Sequence, residues 1–115
     1  MRAFLPTLRE KKRYLAIEIL SEESVKYSSK LVSKAVWTAC QKFMGAINTA
    51  KAGIWVIEEK WKFNIQRGLI KVNNRFVEQL MASLALISKI NKDNIIIRSI
   101  GVSGIIKKAE YKYLR

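Results

Sequence analysis

Histidine is absent from this chain of 115 residues, and cysteine occurs once, as Cys40. A single cysteine cannot form an internal disulfide, and without histidine there is neither a cysteine–histidine zinc cluster nor a histidine general base. Acids are also scarce, with nine in all. Glu58 and Glu59 are adjacent but point to opposite faces of a strand, so they are not expected to hold a metal together. We therefore predict a protein with no catalytic residues, no metal site and no cofactor of its own.

Long hydrophobic runs are missing as well. No apolar stretch is long enough to cross a bilayer, and the start, MRAFLPTLREKKRY, lacks the apolar core of a secretory signal. We therefore predict a cytoplasmic protein without a membrane partner. A chain of this length is expected to fold as one domain over residues 1–115.

Positive charge is abundant. Lysine and arginine number 22 against nine acids, which gives a net charge of +13 and a pI near 10.1. Such a surface attracts polyanions, of which nucleic acid is the commonest, while an acidic protein or an anionic membrane is a rarer partner. The alternative is a small protein whose lysines only keep it soluble and bind no polyanion. Half of the residues are hydrophobic, which argues against disorder.

The hydrophobic pattern predicts the element order β, α, β, β, α, β. Residues 12–20 alternate as a strand, and residues 53–61 and 65–73 indicate a hairpin. A first helix is expected from Ser28 or Ser29 to about Ala50. Its predicted buried stripe comprises Val32, Val36, Ala39, Cys40, Phe43 and Ile47.

A second helix is predicted to be capped by Asn73 or Asn74 and to end at the polar stretch NKDN, before a last strand in residues 95–102. This order predicts an α+β sandwich of the RNA-recognition-motif-like or ferredoxin-like kind. In that fold, two helices cover one face of a four-stranded antiparallel sheet. A short amphipathic C-terminal helix, capped by Ser103, is expected to follow.

Two basic segments flank the predicted sheet in sequence. The first holds Arg9, Lys11, Lys12 and Arg13 ahead of the first strand. In the second, GVSGIIKK, Gly101 and Gly104 are expected to turn the chain sharply before Lys107 and Lys108. These residues predict an anion-binding corner at the start of the terminal helix.

Three segments together carry a family resemblance: LPTLREKKRYLAIEIL, NNRFVEQLMASLALISKI and IIIRSIGVSGIIKK. In this order and spacing they resemble the small ribonuclease P subunit family of archaea and eukaryotes, known in archaea as protein component 2. The resemblance implies a subunit that joins a catalytic RNA, with Mg²⁺ on the RNA, to remove the 5′ leader from precursor tRNA. It also implies the barrel-shaped protein component 3 and other ribonuclease P proteins as partners, and a homodimer within a heterotetramer.

We predict that basic residues position RNA phosphates and that the sheet face opposite the helices meets a protein partner. The predicted RNA-binding residues are Arg9, Lys11, Lys12, Arg13, Arg98, Ser103, Lys107 and Lys108. The predicted partner-binding residues are Tyr14, Ala16 and Leu69 on an open sheet face, and Trp37 on the first helix. The alternatives are a stand-alone or ribosomal RNA-binding protein of the same fold, a basic protein interaction module, and an enzyme that uses Cys40.

Overall fold

A computed structural model of the chain describes residues 11–115. The strands are β1 (Lys12–Ser21), β2 (Trp55–Val56), β3 (Arg67–Asn73), β4 (Lys89–Ile90) and β5 (Asp93–Ser103). The helices are α1 (Ser29–Ala52), α2 (Val77–Ala85) and α3 (Ile106–Tyr113), with short 3₁₀ turns at Glu58–Lys60 and Asn74–Phe76.

The strands form one antiparallel sheet in the order β2-β3-β1-β5-β4. The predicted α+β class is confirmed, but the predicted strand number is wrong because the sheet has five strands. The additional strand, β4, turns back through Asn91, whose left-handed φ of 57° allows a tight hairpin with β5. The segment NKDN, predicted to end a helix, forms part of this turn and the start of β5, and α2 stops earlier at Ala85.

The main core lies between the sheet and the pair α1 and α2. Leu15, Ile17 and Ile19 alternate along β1 and are buried on this face. They share a cluster with Val36 of α1 and Leu80 of α2. The period of two in β1 and the spacing of three to four in the helices explain why both patterns were readable from the sequence.

Helix α1 begins as predicted and then departs from its expected phase. The Ser28 side chain accepts a hydrogen bond from the Leu31 N–H and caps the helix. At Gly45 the backbone is non-helical, with φ 83° and ψ 162°, so the helix is kinked there. The prediction that Phe43 and Ile47 are buried is wrong: they are 45% and 72% exposed. The kink changes the helical phase of Ile47, which follows it. Phe43 precedes the kink and lines an open depression beside Leu86, just past the end of α2.

The second sheet face is covered by α3. Ala16 and Leu69 are buried there against Ala109 and Leu114 of the C-terminal segment. The expectation of an open sheet face at these positions is therefore wrong. The expectation failed because the chain beyond β5 is long enough to fold back over these apolar positions and cover them.

The predicted hairpin is present in outline. Its first strand is reduced to Trp55 and Val56, because the chain turns through the 3₁₀ segment and places Trp61 inward. The Trp61 indole N–H donates to the Tyr27 carbonyl at 3.0 Å, and the ring lies where a side chain at Gly68 would otherwise be.

Candidate nucleic-acid interface

The two basic segments meet at one end of the sheet, which we call the basic end. Tyr14 of β1 pairs with Ser103 of β5, so the start of β1 lies beside the end of β5. The Arg13 guanidinium lies close enough to Gly104 that a Cβ there would sit 2.9 Å from its Nη1 atom. The first turn of α3 then presents Lys107 and Lys108 to solvent. Antiparallel pairing thus joins residues that lie some ninety positions apart.

Asn73 links β1 and the end of α1 at the basic end through side-chain hydrogen bonds. Its side chain is buried, accepts a hydrogen bond from the Lys12 ammonium and donates one to the Lys51 carbonyl at 2.6 Å. The Lys11 carbonyl accepts from the Asn74 N–H at 2.7 Å. The prediction that Asn73 or Asn74 caps a helix with its side chain is wrong, because neither α2 nor the 3₁₀ turn before it has a side-chain cap.

Lys51 was missed by sequence reasoning. It is exposed in the last turn of α1, and the Asn73 contact places that turn next to the start of β1. The available signal was topological: a helix that follows β1 and packs antiparallel to it must end near the point where β1 begins.

The opposite end of the sheet carries acids. Glu22, Glu23 and Asp93 line one shallow depression together with Lys92 and Asn94. Because β1 ends and β5 begins here, these carboxylates lie a full strand length from the basic end. These three acids are thus separated from the cations of the basic end.

Arg98 is separated from the basic end and is bound within the protein. It lies five residues before Ser103, roughly 15 Å along the strand. Its Nη2 donates to Glu18 Oε1 at 2.5 Å, and Arg67 Nε donates to Glu18 Oε2 at 3.1 Å. Burial alone would raise the pKa of the Glu18 carboxyl, but the hydrogen bonds and charges of Arg67 and Arg98 hold that pKa below its ordinary value. The structure therefore gives Arg98 an ion-pairing role, while 58% of its side chain stays exposed and its RNA contact stays a prediction.

Ser103 stabilises the turn before α3 but does not cap the helix. Its Oγ accepts from the Ile105 N–H at 3.1 Å and also lies 3.1 Å from the Ile105 carbonyl oxygen. The cap position is Ile105, with no side-chain cap, so the predicted capping role is wrong. Of the other predicted RNA-binding residues, Arg9 lies outside the described residues.

The predicted partner-binding residues are dispersed. Ala16 and Leu69 are buried beneath α3, and Tyr14 is half-buried against the same cluster. Trp37 is 45% exposed on α1 and lines a groove with Trp55. Four exposed apolar side chains on or next to α1 and α2, which we call the helix face, were not anticipated as a partner surface: Phe43 and Leu86 line one depression, and Ile47 and Met81 are exposed on the same two helices.

The acids and the single thiol were the residues considered for chemistry. Within residues 11–115, no three carboxylate or thiol groups gather as a metal ion would require. Cys40 is buried, and burial raises the pKa of its thiol to about 11, which suppresses the reactive thiolate. None of the described helices combines the length and apolar character needed to span a bilayer.

The sequence of this chain matches the model of the Rpp14/Pop5 family over residues 13–114. The chain belongs to that family. It is 39% identical to ribonuclease P protein component 2 of Pyrococcus furiosus, over 95% of this chain and 88% of that protein. It is 36% identical to the component 2 protein of Methanosarcina mazei, over 100% of this chain and 94% of that one.

The family membership agrees with the fold. A chain in the cryo-EM structure of yeast ribonuclease MRP has a TM-score of 0.65 to this structure. It covers 92% of this chain and 87% of that one at 10% identity, which shows a shared fold. The three segments that carried the resemblance therefore identified the family correctly.

Proposed function

We propose that this protein is a non-catalytic subunit of ribonuclease P that binds the catalytic RNA through its basic end and supports removal of the 5′ leader from precursor tRNA. The observation that carries the proposal is the meeting of two basic segments at one end of the sheet of a family member, while Glu22, Glu23 and Asp93 lie at the other end. Magnesium is placed on the RNA in this proposal, and precursor tRNA is reached through the assembled complex.

The physical mechanism is charge neutralisation. Each lysine or arginine that meets a phosphate releases condensed counterions, so binding weakens steeply as salt is added. Neutralising phosphates also lowers the self-repulsion of the RNA, which favours its compact form at lower magnesium. These contacts position the RNA and do not read its sequence.

Protein partners are assigned to a separate surface. The helix face of Phe43, Ile47, Met81 and Leu86 is apolar and exposed, which is typical of a protein contact. We assign it to assembly with protein component 3 or with a second copy of this chain, in a heterotetramer built around a homodimer. This assignment replaces the sheet face, since Ala16 and Leu69 are already covered by α3.

The test is cleavage of precursor tRNA by the cognate catalytic RNA at limiting magnesium, with and without this protein and component 3. Stimulation by the pair is expected. A variant with Lys11, Lys107 and Lys108 changed to alanine should lose most of the stimulation, because all three side chains are exposed at the basic end. Its slope of log binding constant against log salt should become shallower by about 2–3, since each lost phosphate contact contributes about 0.7–0.9.

A matched control removes the same charge elsewhere. Lys30, Lys62 and Lys92 are exposed and belong to the opposite end of the sheet, beside the starts of α1, β3 and β5. Changing these three to alanine should leave the stimulation and the salt slope near their original values. Equal losses in the two triple variants would contradict a localised RNA contact, and no stimulation by the unaltered protein would contradict the subunit proposal.

A further inference from the structure

One cross-strand row at the basic end is not used by the proposed function. Trp55 of β2 pairs with Lys71 of β3, Lys71 pairs with Tyr14 of β1, and Tyr14 pairs with Ser103 of β5. Directly opposite residues in antiparallel strands project to the same face of the sheet. The four side chains therefore form a continuous row, on the face that α3 covers further along.

Trp55 is the least covered member of this row. It is 65% exposed although it pairs with Lys71 in the two-residue strand β2. The neighbours Ile54 and Val56 are buried, as the strand period requires. A large indole left in water at a fixed position offers an amphipathic surface at little entropic cost, which is typical of a recognition residue.

In the next row along the sheet, α3 blocks access, so a contact with RNA would have to lie at this end. Leu69, Ala16 and Gly101 occupy the central positions, and α3 buries them with Ala109, Leu114 and Tyr113. The middle of the sheet therefore offers neither an aromatic platform nor access. The Trp55 row lies just beyond this cover, toward the strand ends.

The charge around the row selects the ligand. The row contains Lys71 and no acid, and its β5 member, Ser103, is followed by Gly104, beside which the Arg13 guanidinium lies. Glu58 lines the same groove as Trp55, but it stands toward the start of α1, where the Ser29 hydroxyl lies 3.5 Å from its carboxylate. An exposed aromatic side chain flanked by cations is the arrangement that holds unpaired nucleotides, with the base on the ring and the phosphate on the lysine.

We infer that the row Trp55–Lys71–Tyr14 is a binding site for an unpaired RNA nucleotide, in which Trp55 stacks on the base and Lys71 holds the flanking phosphate. The inference rests on the proposed function, since it names a specific contact within RNA binding by the basic end. The unpaired nucleotide can come from a loop of the catalytic RNA or from the leader of the precursor. The chemistry of the contact is the same in both.

The first experiment measures binding of a short oligouridylate to the purified protein, with a duplex RNA of equal length as a comparison. Trp55→Ala should weaken oligouridylate binding about 5- to 150-fold, the range expected for one stacked base, and should change duplex binding little. Trp55→Phe should retain most of the affinity because it keeps an aromatic face. Phe63→Ala is the matched control, since Phe63 is also exposed but lies in the turn before β3, away from the basic end.

Oligouridylate affinity that is unchanged in Trp55→Ala would overturn the inference. If capture of protein component 3 is weakened in the same variant, Trp55 belongs to a protein contact; if that capture is normal, Trp55 has neither role. In either case, a persisting effect of the triple lysine variant on cleavage would leave the proposed function standing, so the two failures are distinguishable.

The assembled enzyme then separates the two sources. If the nucleotide belongs to the leader, Trp55→Ala should raise KM for a precursor with a long leader and leave a precursor with the shortest leader unaffected. If it belongs to the catalytic RNA, the variant should raise the magnesium requirement for both precursors equally. Normal KM and a normal magnesium requirement with both precursors would overturn the inference in the assembled enzyme.

Discussion

The contact between Gly101 and Tyr113 allows the attachment of α3 to the sheet to be tested with one methyl group. A Cβ at position 101 would overlap the Tyr113 ring at its Cζ, Oη and Cε1 atoms. Gly101 does not have a left-handed φ, so alanine is not strained by the backbone there. The glycine thus provides space for a ring from another element. The expectation that it supplies a sharp turn is not what the structure shows.

The expected loss of stability follows from the apolar surface that the displaced Tyr113 ring would expose to water. Tyr113 is half-buried, so displacing its ring exposes roughly 100 Å² of apolar surface, worth about 2.5 kcal/mol. Alanine recovers about 0.5–1 kcal/mol, because glycine is unfavourable inside a strand. Gly101→Ala should therefore lower the free energy of unfolding by about 1.5–2 kcal/mol and the Tm by about 5–10 °C.

A double-mutant cycle in urea or thermal unfolding isolates the steric contact. In a Tyr113→Ala background the overlap is gone, and Gly101→Ala should be neutral or slightly stabilising. Gly104→Ala serves as the control: the atom it meets is the end of the long Arg13 side chain, which can move aside. Equal destabilisation by Gly101→Ala in both backgrounds would refute this explanation of the glycine.

Three further predictions concern the sheet, the basic end and the thiol. Glu18→Gln should destabilise the protein by about 1–3 kcal/mol at neutral pH. Because the native pKa of Glu18 is lowered, the stability that it contributes is present above its ordinary value of 4.5 and is lost as pH falls through the native value, so the variant should show a flatter acid unfolding profile. Asn73→Ala should cost about 1–3 kcal/mol, since it removes two hydrogen bonds, to the Lys51 carbonyl and from the Lys12 ammonium, each worth about 0.5–1.5 kcal/mol, and should also weaken RNA binding when measured in the folded variant. Cys40 should resist alkylation at pH 8 until the protein is unfolded, and Cys40→Ser should leave RNA-dependent cleavage unchanged; rapid alkylation of the native protein would contradict the burial of this thiol.

Several elements were predictable because their signals are local. The alternation of Leu15, Ile17 and Ile19 identified β1 and its buried face. Ser28 was readable as a cap, since a hydroxyl ahead of an apolar helical period satisfies a free N–H group. The net charge of +13 predicted a polyanionic partner without any structure.

Other predictions failed where the outcome depends on distant residues. The predicted buried stripe of α1 was extended through Ile47 because the sequence does not indicate that Gly45 adopts a positive φ. That φ interrupts the helix before Ile47. Asn73 was read as a cap, but its buried amide is taken by Lys12 and by the Lys51 carbonyl. A local cap and a long-range hydrogen bond compete for the same side chain, and only the folded chain decides between them.

The sequence by itself determined the family, the α+β class and the two basic segments, because these depend on residue types and short-range spacing. Tertiary structure alone decided that the basic segments meet, that Lys51 joins them and that Arg98 is bound by Glu18 instead. It also decided that α3 covers Ala16 and Leu69 while Trp55 stays exposed at the end of the sheet. The physical reason is that strand register and helix docking bring together residues far apart in the chain, and neither can be read from a local pattern of apolar and charged residues.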